Sequence, residues 1–153
     1  MPKTVIFIFH DDGDSLSAGS HVAERIRQVA DTQGVELEVF CFGPAQRALT
    51  HPSDDPVRVE YREQMGALAA AGITVGAGLN AAHADGTHDE LVERGLTLEY
   101  ARDAFARFGP EGASVITFWP PSRTPPARQH PDPVVHPPDR HGSTRLVRCH
   151  SSR

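Results

Sequence analysis

The sequence predicts one α/β domain, a three-layer α/β/α sandwich whose mostly parallel sheet has about five strands, followed by a disordered C-terminal tail. The chain has 153 residues, which is about the size of a single domain. Short runs of β-branched and aromatic residues alternate with segments of helical periodicity, an order typical of a parallel sheet covered by helices. The composition changes near residue 119, which places the domain at 1–118 and the tail at 119–153.

Charge is unevenly distributed between these two parts. The whole chain has a formal charge of −5. Residues 1–118 hold nine basic and eighteen acidic residues, whereas the tail holds six arginines, two aspartates and eight of the thirteen prolines. Because nucleic-acid-binding domains are usually basic, the acidic domain argues against a nucleic acid as partner.

The tail shows no hydrophobic periodicity, and so few apolar residues cannot offset the entropy of ordering it. We therefore predict that it is disordered. One functional alternative is a recognition arm rich in proline and arginine. The other is a metal-binding tract made of the four tail histidines, His130, His136, His141 and His150, although their spacing matches no compact metal motif.

The sequence also predicts where the protein resides. No apolar run approaches the roughly 20 residues that a membrane span needs. Residues 1–4 lead into a β-rich segment rather than into the apolar part of a signal peptide. The two cysteines, Cys41 and Cys149, form no C-x-x-C motif and cannot build a disulfide framework. We expect a cytoplasmic protein that does not contact a membrane.

The first third of the domain predicts a βαβ unit. Residues 4–9 form a continuous β-branched and aromatic run, typical of a strand buried on both faces. Apolar positions over 15–33 recur at helical spacing, with Asp14 or the serine after it as the expected N-cap and Gly34 as the C-terminal stop. A second buried strand follows at 37–42, and the connection between the two strands is expected to be right-handed.

The same alternation continues to the end of the domain. Thr87 and Glu90 form a capping-box pattern at the start of one predicted helix, and residues 51–56 read as a surface loop. We predict helices at 45–49, 61–71, 87–94 and 100–108, and strands at 73–75, 96–98 and 113–118.

The candidate site follows from the predicted sheet. In open parallel sheets, ligands bind beyond the carboxyl ends of the strands, at the point where the strand order reverses. Three segments that follow predicted strands are expected to converge there, at 10–14, 42–44 and 76–80.

His10 and Asp12 are candidate ligand-binding residues in the first of these segments. Together with Asp11 and Asp14 they could hold a divalent cation, because carboxylates on a tight turn supply hard oxygen ligands. The same acidic residues also suit the positive end of the first helix. We favour this capping interpretation and predict no metal and no other cofactor. A metal-assisted reaction at His10 and Asp12 is an alternative.

Gly76, Gly78 and Asn80 are the other candidate ligand-binding residues. Residues 76–81 match the G-x-G-x-x-A pattern of dinucleotide sites, in which the glycines open a long helix. Here Asp85 and the glycine after it interrupt the chain soon afterwards, so chance explains the match better. Gly78 is expected either to need a positive φ or to allow close backbone contact.

No residue is assigned a catalytic role, and Cys41 is the alternative candidate. It lies in a predicted buried strand, where a thiol is a small inert apolar group with a raised pKa. His83 and His88 flank the glycine-rich segment and could act with His10 as general acid and base. Histidines in polar loops are usually solvated instead.

The order and spacing of several segments resemble the DsrE/DsrF-like (YchN-like) family over residues 3–118. The resembling segments are VFCFG at 39–43, AAGI at 70–73, GAGLNA at 76–81 and GASVITF at 112–118. The resemblance implies a small α/β sandwich that assembles as a trimer or hexamer. It also implies a site in the loop after the third strand, where several members carry sulfane sulfur on a cysteine.

This chain departs from the family at that cysteine. The matching position is Gly78, which has no atom that could attack or carry sulfur. We therefore predict a small-ligand-binding or assembly subunit without sulfurtransferase activity, as a homo-oligomer or a hetero-oligomer with a paralogue. Backbone amides near Asn80 would suit an anion or a small polar ligand. The alternative is a persulfide enzyme that uses Cys41.

Overall fold

The computed structural model describes residues 1–120, which contain a five-stranded, all-parallel sheet with helices on both sides. This confirms the predicted α/β/α sandwich and its number of strands. The predicted disordered tail lies outside the described residues, apart from Trp119 and Pro120. No helix within residues 1–120 is long and apolar enough to cross a membrane.

Strands and helices alternate in the predicted order, and most bounds agree to within a few residues, but the short helix Leu79–Ala84 was not predicted. The strands are β1 (Lys3–Ile8), β2 (Glu36–Cys41), β3 (Thr74–Gly78), β4 (Thr97–Glu99) and β5 (Ala113–Thr117). The helices are α1 (Gly13–Gln33), α2 (Pro44–Ala48), α3 (Pro56–Ala70), α4 (Leu79–Ala84), α5 (His88–Glu93) and α6 (Ala101–Phe108).

The order of the strands across the sheet is β4-β3-β2-β1-β5. Each strand up to β4 is added on the same side of the previous one, whereas β5 returns to the far side of β1. Because crossovers between parallel strands are right-handed, this reversal moves the last connecting helix to the other face of the sheet. Helices α1 to α5 therefore cover one face, called here the core face, and within residues 1–120 α6 alone covers the other.

Two apolar cores of unequal size follow from this arrangement. The larger core lies between the core face and its helices and includes Ile6, Val39, Leu16, Met65 and Leu91. The smaller core lies under α6 and consists of Val5, Phe40, Ala104 and Phe108, with other apolar side chains partly buried around it.

The ends of the helices agree only in part with the sequence prediction. Gly34 ends α1 with φ 63°, as predicted. The predicted N-cap of α1 is wrong, because Asp12 occupies that position and its carboxylate accepts a hydrogen bond from the Ser15 amide at 2.9 Å. The predicted capping box before α5 is not formed, since the Thr87 side chain makes no cap hydrogen bond.

The third strand is longer than predicted, so that Gly76 and Gly78 lie in β3 rather than in a loop. A Cβ atom on Gly76 would lie 2.6 Å from the Phe40 ring, and one on Gly78 would lie 3.1 Å from Gln46 Oε1. The two glycines thus make room for side chains of β2 and α2. The φ of Gly78 is −73°, so close approach and not a positive φ explains this residue.

Candidate functional site: the phenylalanine face

The sheet face under α6 carries six of the seven phenylalanines of the chain, and we call it the phenylalanine face. Side chains alternate between faces along a strand. Phe7 in β1 and Phe9 just after it therefore share this face, as do Phe40 in β2 and Phe42 just after it. Phe7 and Phe40 are paired across β1 and β2. The six residues are Phe7, Phe9, Phe40, Phe42, Phe105 and Phe108.

Phe105 of α6 lies at the centre of this cluster. Its ring centroid is 5.5 Å from that of Phe7, 5.8 Å from that of Phe40 and 5.9 Å from that of Phe42, each in an edge-to-face arrangement. Such ring pairs are favourable beyond the burial of their area. Phe105 nevertheless remains 44% exposed.

A groove of about 510 Å³ opens beside α6 on the phenylalanine face. All six side chains that line it are apolar, namely Phe7, Phe9, Phe42, Phe105, Phe108 and Val115. Val115 is 47% exposed because β5 is the edge strand at this side of the sheet. The groove therefore offers a large aromatic surface and no side chain that could orient a polar ligand.

An ion-pair cluster lies at the amino-terminal part of the same face. Buried Glu38 accepts two hydrogen bonds from Arg107, at 2.7 and 2.9 Å, and forms a 2.7 Å ion pair with Lys3. Burial alone would raise the pKa of Glu38, but the hydrogen bonds from Arg107 and Lys3 lower it. Arg107 also binds Glu99, and Lys3 binds Glu111. The two cations thus bind these three carboxylates, and through Arg107 the cluster anchors α6 to the sheet.

Gly78 and Asn80, two of the predicted ligand-binding residues, line a second cavity of about 270 Å³. Phe42, Tyr100 and Arg102 also line it. The Gly78 amide donates to Gln46 Oε1, and the Gln46 amide donates to the Gly78 carbonyl, both at 2.9 Å. The Gly78 amide is thus occupied within the protein. Gly76 packs against Phe40 and does not line this cavity.

His10 and Asp12 perform other tasks in the structure. Asp12 caps α1. Burial alone would raise the pKa of Asp12, but the hydrogen bond from Ser15 lowers it. The His10 ring lies 5.1 Å from both the Phe9 and the Trp119 rings. Asp11 forms an ion pair with Arg58. Within residues 1–120, no three His, Cys, Asp or Glu side chains are grouped closely enough to hold a metal ion.

Cys41, the alternative catalytic residue, is fully buried in the larger core. The Tyr61 hydroxyl donates a hydrogen bond to its Sγ at 3.1 Å. Burial raises the pKa of the Cys41 thiol to about 12, and the hydrogen bond from Tyr61 offsets only part of this effect. The thiolate that persulfide chemistry needs is therefore strongly disfavoured.

The phenylalanine face was not predicted from the sequence. The pairs Phe7/Phe9 and Phe40/Phe42, each two residues apart, and the spacing of three between Phe105 and Phe108 carried the signal. The continuous apolar runs predict strands buried on both faces, whereas the face of β1 and β2 under α6 is partly open. The strand order reverses between β1 and β5, so the switch point lies beside His10, which follows β1. The glycines of β3 lie two strands away from β1, on the other side of β2.

No protein-family model matches the chain, and no curated protein matches its sequence. Among solved structures, the chain is similar to a conserved protein of unknown function, BT1422, from Bacteroides thetaiotaomicron. The similarity covers 76% of this chain and 94% of that chain, with 14% identity and a TM-score of 0.59. At this identity, the comparison establishes a shared α/β fold.

Proposed function

We propose that this chain is a DsrE-like assembly subunit that self-associates through its phenylalanine face and transfers no sulfur. The observation that carries the proposal is the groove of about 510 Å³ on a sheet face that, among residues 1–120, only the eight-residue helix α6 covers. Exposed aromatic surface of this extent marks contact sites, because burying it away from water is favourable. The absence of a C-x-x-C motif supports placing the subunit in the cytoplasm.

The chemistry of the groove favours a protein partner over a small molecule. Pockets for small molecules combine apolar walls with a few polar groups that fix the orientation of the ligand. The centres of protein interfaces, in contrast, are rich in aromatic residues and poor in charge. Phenylalanine and valine alone line this groove, which matches an interface centre.

The second cavity supports the small-ligand alternative less well. Its polar side chains, Asn80 and Arg102, are exposed, and Arg102 forms an ion pair with the neighbouring Asp103 at 3.2 Å. The Gly78 amide is bound by Gln46. No convergent set of free polar groups therefore points into this cavity from the residues that line it.

The enzymatic alternatives have weaker support. Persulfide transfer needs an accessible thiolate, whereas Cys41 is buried and its pKa is raised. A metal-assisted reaction needs several converging ligands, whereas Asp12 caps α1 and the His10 ring lies against the Phe9 and Trp119 rings. The resemblance to DsrE-like proteins adds the expectation of a trimer or hexamer.

The test is the mass of the full-length protein in solution, measured by light scattering for the wild type, Phe105→Asp and Val92→Asp. Val92 is the matched control, since it is 49% exposed on α5, away from the phenylalanine face. We expect an oligomer for the wild type and Val92→Asp, and a monomer for Phe105→Asp with an unchanged fold.

Two outcomes would contradict the proposal. One is a monomeric wild type at tens of micromolar, and the other is an oligomer that Phe105→Asp leaves intact. Phe9→Asp supplies a second variant on the same face if Phe105→Asp fails to fold.

A further inference from the structure

The two edges of the sheet differ in how they are protected. Edge strands expose unpaired N–H and C=O groups that can pair with a strand of another chain, and proteins block this with short strands, charges or proline. At one edge, β4 has only three residues, and its Glu99 is bound to Arg107. That edge carries two of these protections.

The β5 edge carries none of them. Its five residues, Ala113–Thr117, lie in the uncharged segment 112–119, which has no proline. Four of the five are exposed, and both Val115 on the phenylalanine face and Ile116 on the core face contribute apolar surface. Within residues 1–120, β5 pairs only with β1, so its outer backbone groups have no hydrogen-bond partner.

We propose that two copies of this chain pair their β5 edges antiparallel about Val115, which joins the two sheets into one continuous sheet. This inference rests on the proposed function in taking the chain to be an assembly subunit, and it adds the edge and the symmetry of the contact. A two-fold axis through Val115 sets Val115 opposite its own copy. Ser114 then faces Ile116 of the second copy, and Ala113 faces its Thr117.

The second copy is the favoured occupant because the edge is complementary to itself. A two-fold contact requires one patch to fit its own copy, and β5 brings no like charges together in this arrangement. A strand is the only structure that satisfies a whole row of outward backbone groups, and β5 is itself such a strand of matching length. Antiparallel pairing buries the two β5 edges and sets the two grooves side by side on one face of the joined sheet.

The symmetry restricts the oligomers that can form. A two-fold contact produces dimers and assemblies built from them, so the chain should occur in even numbers. Of the two assemblies implied by the resemblance, the hexamer contains two-fold axes and the trimer does not.

Disulfide formation across the proposed axis tests the inference in the full-length protein. Residues directly opposite in an antiparallel pair have Cα atoms about 4.5–5.5 Å apart, within the range that a disulfide spans. We would introduce Val115→Cys into a Cys149→Ser background, with Val92→Cys as a control of equal exposure. Cys41 is buried and forms no link.

We expect mild oxidation to convert most of the Val115→Cys protein to a covalent dimer and to leave most of the Val92→Cys protein monomeric. In a second variant, Ile116→Lys, which lies on β5 but does not line the groove, should lose the dimer seen by light scattering, while Val92→Lys keeps it. Equal cross-linking of the two cysteine variants would overturn the inference. So would a monomer in which the thiol at position 115 is protected from maleimide, since the chain's own residues 121–153 would then cover the edge.

The outcomes separate this inference from the proposed function. If Phe105→Asp abolishes association but position 115 never cross-links, the phenylalanine face mediates assembly and the β5 pairing is wrong. If position 115 cross-links and Phe105→Asp leaves association intact, the β5 pairing stands and the proposed role of the phenylalanine face is wrong.

Discussion

At the scale of single residues, Gly76 and Gly78 owe their identity to packing. Gly76→Ala would place a Cβ 2.6 Å from the Phe40 ring, and Gly78→Ala would place one 3.1 Å from Gln46 Oε1. Overpacking a core costs about 1–3 kcal/mol, so we expect Gly76→Ala to be clearly destabilised and Gly78→Ala less so. Chemical denaturation of the two variants measures this difference.

Gly66→Ala is the matched control for these two variants. Gly66 lies inside α3, and a Cβ there would meet nothing within 4 Å. Because alanine favours a helix over glycine by about 0.8–1 kcal/mol, this variant should be stabilised. A Gly76→Ala variant as stable as the wild type would contradict the packing explanation.

Cys41 should not react with thiol reagents while the protein is folded. Its burial and its pKa of about 12 leave almost no thiolate at pH 7 to 9. Cys149→Ser leaves Cys41 as the only thiol, and its reaction with a disulfide reagent can be followed with and without denaturant. We expect labelling only on unfolding. Rapid labelling of the native variant would revive the persulfide alternative.

Sequence patterns predicted some residues well and others poorly. Gly34 and buried Cys41 were predicted correctly because a single residue type met a strong local requirement. The N-cap of α1 was not, because Asp12, Asp14 and Ser15 all suit that position and the choice depends on where the helix begins. The reason for Gly78 lay in side chains of β2 and α2, which are distant in sequence.

At the scale of secondary-structure elements, the Glu38 cluster holds α6 on the sheet. Breaking a buried ion pair costs about 3–5 kcal/mol, and the loss of Glu38 costs less than this because Arg107 and Lys3 keep Glu99 and Glu111 as partners. Glu38→Gln should therefore lower the melting temperature at pH 7, whereas Glu60→Gln, at an exposed site beside His21, should change it little. An equally stable Glu38→Gln protein would show that the cluster does not anchor α6.

The same cluster predicts a pH dependence. The pKa of Glu38 is lowered in the folded protein, so its contribution to stability is complete above the pKa of an unfolded glutamate, about 4.3. It is lost as the pH falls through the lower folded value. The difference in melting temperature between the wild type and Glu38→Gln should thus shrink on acidification below about pH 4. A difference that grows on acidification would contradict this sign.

The elements themselves were largely predictable because β-branched runs and helical spacing are local signals. The face to which α6 belongs was not, because it depends on the strand order together with the handedness of the crossover. For the same reason, the pattern of β5 predicts a strand but not an exposed edge.

At the scale of the whole molecule, the asymmetry of the two sheet faces is the central feature. In the part of the chain that the structure describes, five helices cover the core face, while one eight-residue helix leaves the phenylalanine face partly open. The strand order creates this opening. The opening is therefore a property of the fold and does not depend on the rotamer of one side chain. We propose that another copy of the chain covers this opening.

Oxidative footprinting of the full-length protein at increasing concentration tests this claim most directly. Phe105 and Tyr100 are 44% and 40% exposed in the single chain, and Tyr100 lies just before α6, outside the residues that line the groove. If a second copy covers the phenylalanine face, oxidation of Phe105, relative to that of Tyr100, should fall as association proceeds and recover on dilution. A constant ratio of Phe105 to Tyr100 oxidation at every concentration would contradict it.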